Sequence, residues 1–219
     1  MSILYAEWQF VCSRIEDRLM WLRTHPALTP PLVAQRLLVS AEDWRHGCHS
    51  GFDVRAIIRA GVHRLISFRR EGASTIEQQI VRVVTNRFER KWRRKVREIL
   101  LASLVASRFP KSATPALYLA IGYYGWRMNN YLQACRRLGL CPNDMSLDDA
   151  AALVARLKYP EPRIPPPRRL AQISSRKEYL KRLYGQHLLD GKYLHLGVEK
   201  HGEAISRRGE LKEALEYVS

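Results

Sequence analysis

The chain lacks an apolar run long enough to cross a bilayer. Its longest, Ile99 to Ala106, is interrupted by Ser103 and falls far short of the ~20 residues a spanning helix needs. Cysteine is also sparse. Cys12, Cys48, Cys135 and Cys141 lack the paired C-x-x-C spacing of zinc sites, and four thiols in 219 residues do not make a disulfide-stapled secreted scaffold. We read them as ordinary reduced thiols. Acidic residues are outnumbered, 21 against 37 Lys and Arg, for a net charge of +16. That balance points toward anionic partners such as nucleic acid, acidic lipid headgroups or phosphates, without choosing among them. Glu7, Arg14, Glu16, Asp17 and Arg18 crowd the N-terminal segment, which fits neither a signal peptide nor a stop-transfer segment. There is no internal repeat, and β-branched alternation is brief, so a mainly α fold is expected. The length suffices to bury a core without a metal or disulfide.

Periodicity supplies the helices. Leu4, Trp8, Val11, Ile15, Leu19 and Leu22 recur at three- and four-residue steps, an amphipathic stripe that must end before Pro26. After Pro30 and Pro31, residues 32–42 read as a second helix running into a loop. Residues 54–70 carry Arg55, Arg59, Arg64, Arg69 and Arg70, a basic segment. From Ser74 to Ser107 the spacing is helical again, capped by Ser74 or Thr75. Residues 115–138 and 146–158 supply two more helices, the latter capped by Ser146 with Asp149 three residues on, as in a capping box. Pro160, Pro162 and Pro165 to Pro167 mark a stiff boundary. A last helix is expected over 172–189, and no structure is assigned to 190–219. These breaks suggest an N-terminal helix (1–28), a main domain (29–167) and a C-terminal helical extension (168–219).

Several residues could carry chemistry. Glu42 lies between Ala41 and Asp43-Trp44, where the indole could exclude water and raise the carboxyl toward neutrality, as a general base needs. An exposed acid pair at a helix end is the plainer alternative. His46, Cys48 and His49 could be taken for a metal cluster, but a zinc site needs a further ligand and a closed geometry that this spacing does not offer. Ser74, Thr75, Gln78 and Gln79 present donors and acceptors suited to phosphate or sugar oxygens. Arg82, Arg87, Arg90, Lys91, Arg93, Arg94, Lys95 and Arg97 form a basic run, either a solvated face or an anion site, and within 94–98 Glu98 is a lone acid among cations.

Four stretches, SAEDWRHGCHSGFD (40–53), GASTIEQQIVR (72–82), RRKVREILLA (93–102) and SLDDAAALVARLKYPEP (146–162), fall in an order and separation that resembles the peptidoglycan glycosyltransferase family. These enzymes polymerise the lipid-linked cell-wall precursor lipid II and form the transglycosylase domain of class A penicillin-binding proteins. The resemblance covers roughly residues 30–165. It implies a lysozyme-like, two-lobed domain with a large helical lobe and a smaller jaw lobe at the bilayer. It further implies that Glu42 is the base and that Arg82, Arg90 and Lys95 hold the donor diphosphate. Asp43, His49, Ser74, Thr75, Gln78 and Gln79 would line the substrate site. Glu98 would orient the donor or bind a divalent cation, Mg2+ or Mn2+. Lipid II, the nascent glycan and an anionic membrane surface are the implied partners, with peripheral attachment to the bacterial cytoplasmic membrane through the 4–15 stripe and the basic 55–70 segment.

The chain departs from the family pattern at named positions. His46 replaces an aromatic residue, Ala73 and Glu77 stand for Gly and Thr, and Val83 stands for Asn. A fourth motif is eroded to Pro115-Ala116-Leu117-Tyr118-Leu119-Ala120, without its acid and amide. These departures leave open a pseudoenzyme that binds lipid II or glycan without turnover, and the net charge of +16 leaves open a basic helical protein that binds nucleic acid.

Overall fold

The computed structural model describes residues 3–56, 58, 74–89 and 91–196. Among these are eight α-helices and no strand: α1 (Ile3–Thr24), α2 (Leu32–Glu42), α3 (Ile76–Thr85), α4 (Trp92–Arg108), α5 (Thr114–Ile121), α6 (Tyr131–Leu138), α7 (Leu147–Lys158) and α8 (Pro167–Leu189). Three short 3-10 turns lie between them and a fourth follows the last. The mainly α, lysozyme-like expectation holds. Arg59, Arg64, Arg69, Arg70, Gly72, Ala73 and Arg90, all named in the sequence reading, lie outside the described residues.

Helix α2 is the axis of the molecule. Ala34, Leu37, Leu38 and Val39 are fully buried, and the helix packs against α5, α7 and α8. Its burial on nearly every side explains why its last residue, Glu42, emerges from the interior rather than from a solvated surface. Helices α3 and α4 pair with each other, and α1 lies across α3, α4 and α5.

The stripe on α1 faces inward. Val11 and Ile15 are 0% exposed, and Leu4 and Trp8 pack against the same core. The expected membrane-docking stripe is therefore a core-forming face, since apolar side chains on an amphipathic helix gain more from a protein core that is already there. One hydrophobic cluster joins Val11, Leu38, Ile80, Leu101, Leu119, Val154, Leu180 and Leu196. The boundaries expected after residues 28 and 167 do not divide this core.

Three segments differ from the expected helices. The helical spacing of 74–107 is broken at Asn86, whose left-handed φ of 51° lets its N–H cap Arg82 O and Val83 O. The run 115–138 splits into α5 and α6 around Gly125, where φ is +139° and a Cβ would lie 2.2 Å from Glu161 O. Backbone pairing of Trp126 N with Glu161 O (2.7 Å) and of Glu161 N with Tyr124 O (3.0 Å) requires that close approach. Helix α8 starts at Pro167, not at 172, because proline suits the first helical position, where no N–H is needed. The caps of α3 and α7 follow expectation: Thr75 accepts from Gln78 N, and Ser146 accepts from Asp149 N.

Placing a charge in the α1 face tests its role. Val11→Asp buries an unpaired carboxylate, a penalty of several kcal/mol, and should abolish the cooperative thermal transition in circular dichroism. Phe10→Asp, on the same helix but 47% exposed, should change stability by no more than about 0.5 kcal/mol.

Candidate active site

The polar residues gather in two centres. The first is the turn after α2. Asp43 N bonds back to Val39 O (2.9 Å) and His46 N to Asp43 O (2.9 Å), so the chain reverses tightly after Glu42. The Asp43 carboxylate then does two things. Its Oδ2 accepts from Ile76 N (3.2 Å) at the start of α3, where the helix dipole favours an anion. It also holds His49 Nε2 at 3.0 Å from both of its oxygens. Further along the loop, Gly51 O accepts from Thr75 Oγ1 (2.7 Å) and Gln78 Nε2 (3.5 Å). Gly51 itself has φ +92°, and a Cβ there would lie 2.3 Å from Ala102 O, so only glycine lets the loop press onto α4.

Glu42 is raised above the ordinary carboxylate value because burial disfavours its charge. The charges of Arg176 and Lys158 pull it back down, and Asp43 pushes it up. Arg176 stands 3.9 Å from Glu42 Oε1 and donates to Ala41 O (2.8 Å). Trp44, the residue expected to dry this carboxylate, keeps part of its own surface in solvent. Trp44 is 37% exposed, and the contacts described for its ring are with Arg45, Lys192 and His187. Burial at the C-terminal end of α2 raises the Glu42 carboxyl.

The second centre is Glu98 on α4. Its Oε2 accepts from Arg82 Nε (3.1 Å) and from Arg94 Nη1, and its Oε1 from Arg82 Nη2 (2.9 Å) and Lys95 Nζ (2.9 Å). Burial pushes the Glu98 carboxyl up, but the hydrogen bonds and charges of Arg82 and Lys95 hold it below the usual range. Burial lowers Lys95, while Glu98 opposes the shift. Three cations against one carboxylate leave the cluster positive. The Glu98 side chain is only 3% exposed, whereas Arg82 and Lys95 keep 22% and 34% of theirs, so the outward face is cationic. Burial and the charge of Glu42 raise Tyr118, while Arg82 lowers it. Its phenol thus senses both centres.

The expected residues divide accordingly. Glu42, Asp43 and His49 meet at the first centre; Ser74, Gln79, Arg82, Lys95 and Glu98 meet at the second, with Ser74 Oγ accepting from Lys95 Nζ (3.0 Å) and Gln79 Oε1 from Arg82 Nη1 (3.1 Å). Thr75 and Gln78 are buried, and their polar groups bind the loop, the helix cap and Lys95. They act as struts rather than as free substrate contacts. Sequence reasoning missed Arg176, which lies far from Glu42 along the chain, and did not single out Arg94 from the basic run.

A divalent cation at Glu98 does not fit. Both of its oxygens already accept from two cationic donors each, and the surrounding positive charge repels a dication. Asp43, His49 and Glu77 do bring ligand atoms within 4.8 Å of one another. However, Gly51 N donates to His49 Nδ1 (3.2 Å), which leaves the hydrogen on Nε2, pointing at Asp43. A metal-binding imidazole has the opposite polarity. His46 and Cys48 do not form a cluster either, since Cys48 is exposed and His46 turns into the interior.

Neutralising Lys158 or Arg176 should expose the balance at Glu42. In Lys158→Met and Arg176→Met the Glu42 carboxyl should titrate at higher pH than in the wild type, because a cation that favours the charged form is gone. Carboxyl NMR of the labelled glutamate reads this directly; Lys158→Met keeps the Arg176 bond to Ala41 and controls for local rearrangement.

The sequence model of the Transglycosylase family matches residues 18–184. The chain is 32% identical over 157 residues to a biosynthetic peptidoglycan transglycosylase of Rhodospirillum centenum, covering 71% of this chain and 67% of that protein. It is 27% identical over 162 residues to penicillin-binding protein 1A of Rickettsia bellii, covering 71% of this chain but 20% of that protein. A Bdellovibrio bacteriovorus biosynthetic peptidoglycan transglycosylase is 36% identical over 96 residues, covering 42% of this chain and 38% of that protein. The aligned part is thus about a fifth of the long penicillin-binding protein and about two thirds of the first transglycosylase.

Proposed function

Since the chain belongs to the transglycosylase family, we propose that it is a peptidoglycan glycosyltransferase that polymerises lipid II into glycan strands. The reaction joins an acceptor sugar hydroxyl to the anomeric carbon of a lipid-diphosphate-linked donor, with inversion. It needs a base for the hydroxyl proton and cations for the departing diphosphate. The observation that carries the reading is the division of labour between the half-buried Glu42 and the buried Glu98: burial raises the first, and cations hold the second below the usual carboxylate range.

In this mechanism Glu42 accepts the acceptor's hydroxyl proton as the new glycosidic bond forms. Arg82, Arg94 and Lys95 receive the diphosphate on their exposed sides, and their attraction grows as the leaving group gains charge, which is the differential stabilisation catalysis requires. Glu98 fixes the three cations in place, since without it they would repel one another. Asp43 and His49 hold the turn that aims Glu42. Arg90 would extend the cation set. We propose peripheral work at the bacterial cytoplasmic membrane on lipid II and the growing glycan, with the basic segment around 55–70 as the contact with anionic lipid. No helix among the described residues is long and apolar enough to cross a membrane.

Labelled lipid II resolved by product size tests the reading. Glu42→Gln keeps shape but cannot accept a proton, and should lower polymerisation by about 10²–10⁴-fold; retention of more than about a tenth of wild-type turnover would remove Glu42 from the role. Glu98→Gln should also lower turnover, through disorder of its three cations. Its dependence on added Mg2+ or Mn2+ should match that of the wild type, and a changed metal titration would restore the metal role.

A further inference from the structure

The family match ends at residue 184, yet the chain beyond it returns to the catalytic turn. Helix α8 runs to Leu189, and Gly191, at φ +64°, reverses the backbone so that Lys192 N bonds to His187 O (3.0 Å). Three side chains of this stretch then meet the end of α2 and the turn after it. His187 Nδ1 lies 2.9 Å from Ser40 Oγ. Tyr193, 5% exposed, bonds to the same hydroxyl and stacks on Tyr184 at 5.5 Å. His195 Nε2 lies 2.9 Å from His46 Nδ1. The fit is close: a Cβ on Gly47 would lie 2.9 Å from His195 Nδ1.

His46 is the point at which this contact becomes specific to the present chain. It stands where the resembled family has an aromatic hydrocarbon, which could offer His195 no hydrogen bond. Its other nitrogen faces Glu77 Oε1 (3.1 Å) and Thr114 Oγ1 (2.9 Å). Thr114 donates its own hydrogen to Lys111 O (3.1 Å), so Nε2 must carry hydrogen. Glu77, also a departure from the family, is buried; its carboxyl is held at about 2 by His46 and Lys111 against the effect of burial. Lys111 Nζ reaches it at 2.6 Å. The two departures therefore touch each other, and the pair is completed by a residue from beyond the family-matched region.

We propose that residues 187–196 form a strap that positions the catalytic turn, with His195 acting through His46 as a positioning residue for Glu42. The link is short. His46 N is hydrogen-bonded to Asp43 O, so the ring that His195 holds and the residue after Glu42 belong to one turn. His195 is kept neutral by burial, with a value of about 4, and is suited to a neutral hydrogen bond rather than to an ion pair. A small displacement of a reacting group is enough to slow a reaction by one to two orders of magnitude while leaving binding alone. This inference rests on the glycosyltransferase reading for its kinetic arm only.

The test compares His195→Ala in the wild-type chain and in a His46→Phe/Glu77→Thr background that restores both family residues. In the wild type, kcat for lipid II polymerisation should fall about tenfold or more, KM should stay within about twofold, and amide exchange should quicken at His46 and Cys48. In the restored background the same change should have no further effect on either readout, because the partner of His195 is gone. His195→Gln, which retains a hydrogen-bonding group, should recover part of the loss. Equal losses in both backgrounds, or a loss that follows a general fall in thermal stability, would overturn the strap's positioning role. If the wild-type chain does not polymerise lipid II, the functional reading fails; unchanged exchange across 43–49 in His195→Ala would then overturn the strap independently.

Discussion

Asp43 ties the end of α2 to the beginning of α3, and the site depends on that tie. Its carboxylate caps Ile76 N and holds His49, so the turn that follows Glu42 is anchored to the helix that carries Thr75, Gln78 and Arg82. A carboxylate at a helix N-terminus satisfies a backbone donor that would otherwise be buried without a partner. Because this tie lies in the interior, the end of α2 keeps its last residue at the edge of the core, and Glu42 is buried enough to hold a proton more tightly than a surface acid would.

Three glutamates in one molecule illustrate how neighbours decide chemistry. Burial dominates at Glu42, whose cations are offset partners. At Glu98 the hydrogen bonds of Arg82 and Lys95 win over burial, and at Glu77 those of His46 and Lys111 do so. Side-chain type is identical in all three. The number of donors aimed at each carboxylate sets it apart from the others, and the proposed mechanism gives Glu42 the proton, Glu98 the cations and leaves Glu77 a structural anion. The same accounting shows why Glu98 suits the role of a cation clamp better than that of a metal ligand.

The departures from the family pattern are not independent lesions. His46 and Glu77 replace residues that would not have paired by charge, and in this chain they contact one another. Glu77 Oε1 takes both His46 and the half-buried Lys111, so the buried carboxylate is not left as an unpaired charge, the costly case. The eroded fourth motif has a different outcome: Pro115 to Ala120 are all buried in α5, so this helix keeps its packing role, and the Tyr118 phenol feels the charges of both Glu42 and Arg82.

Local information in the sequence was enough for most helical segments, the Ser146 cap and a cap at Ser74 or Thr75, because apolar spacing and cap residues act within one or two turns of the chain; it did not show the breaks at Asn86 and Gly125. It was also enough to identify a basic cluster around Glu98. It could not say what would cover an apolar stripe, and α1 accordingly turned out to face the core rather than a membrane. Nor could it say which of many cations would reach a given acid. Arg176 meets Glu42, Arg94 joins Arg82 and Lys95, and His195 meets His46 only because packing of α2, α4 and α8 brings together residues distant in the chain. Periodicity defines a face; tertiary packing decides its neighbour, and the electrostatics of a buried group are set by that neighbour.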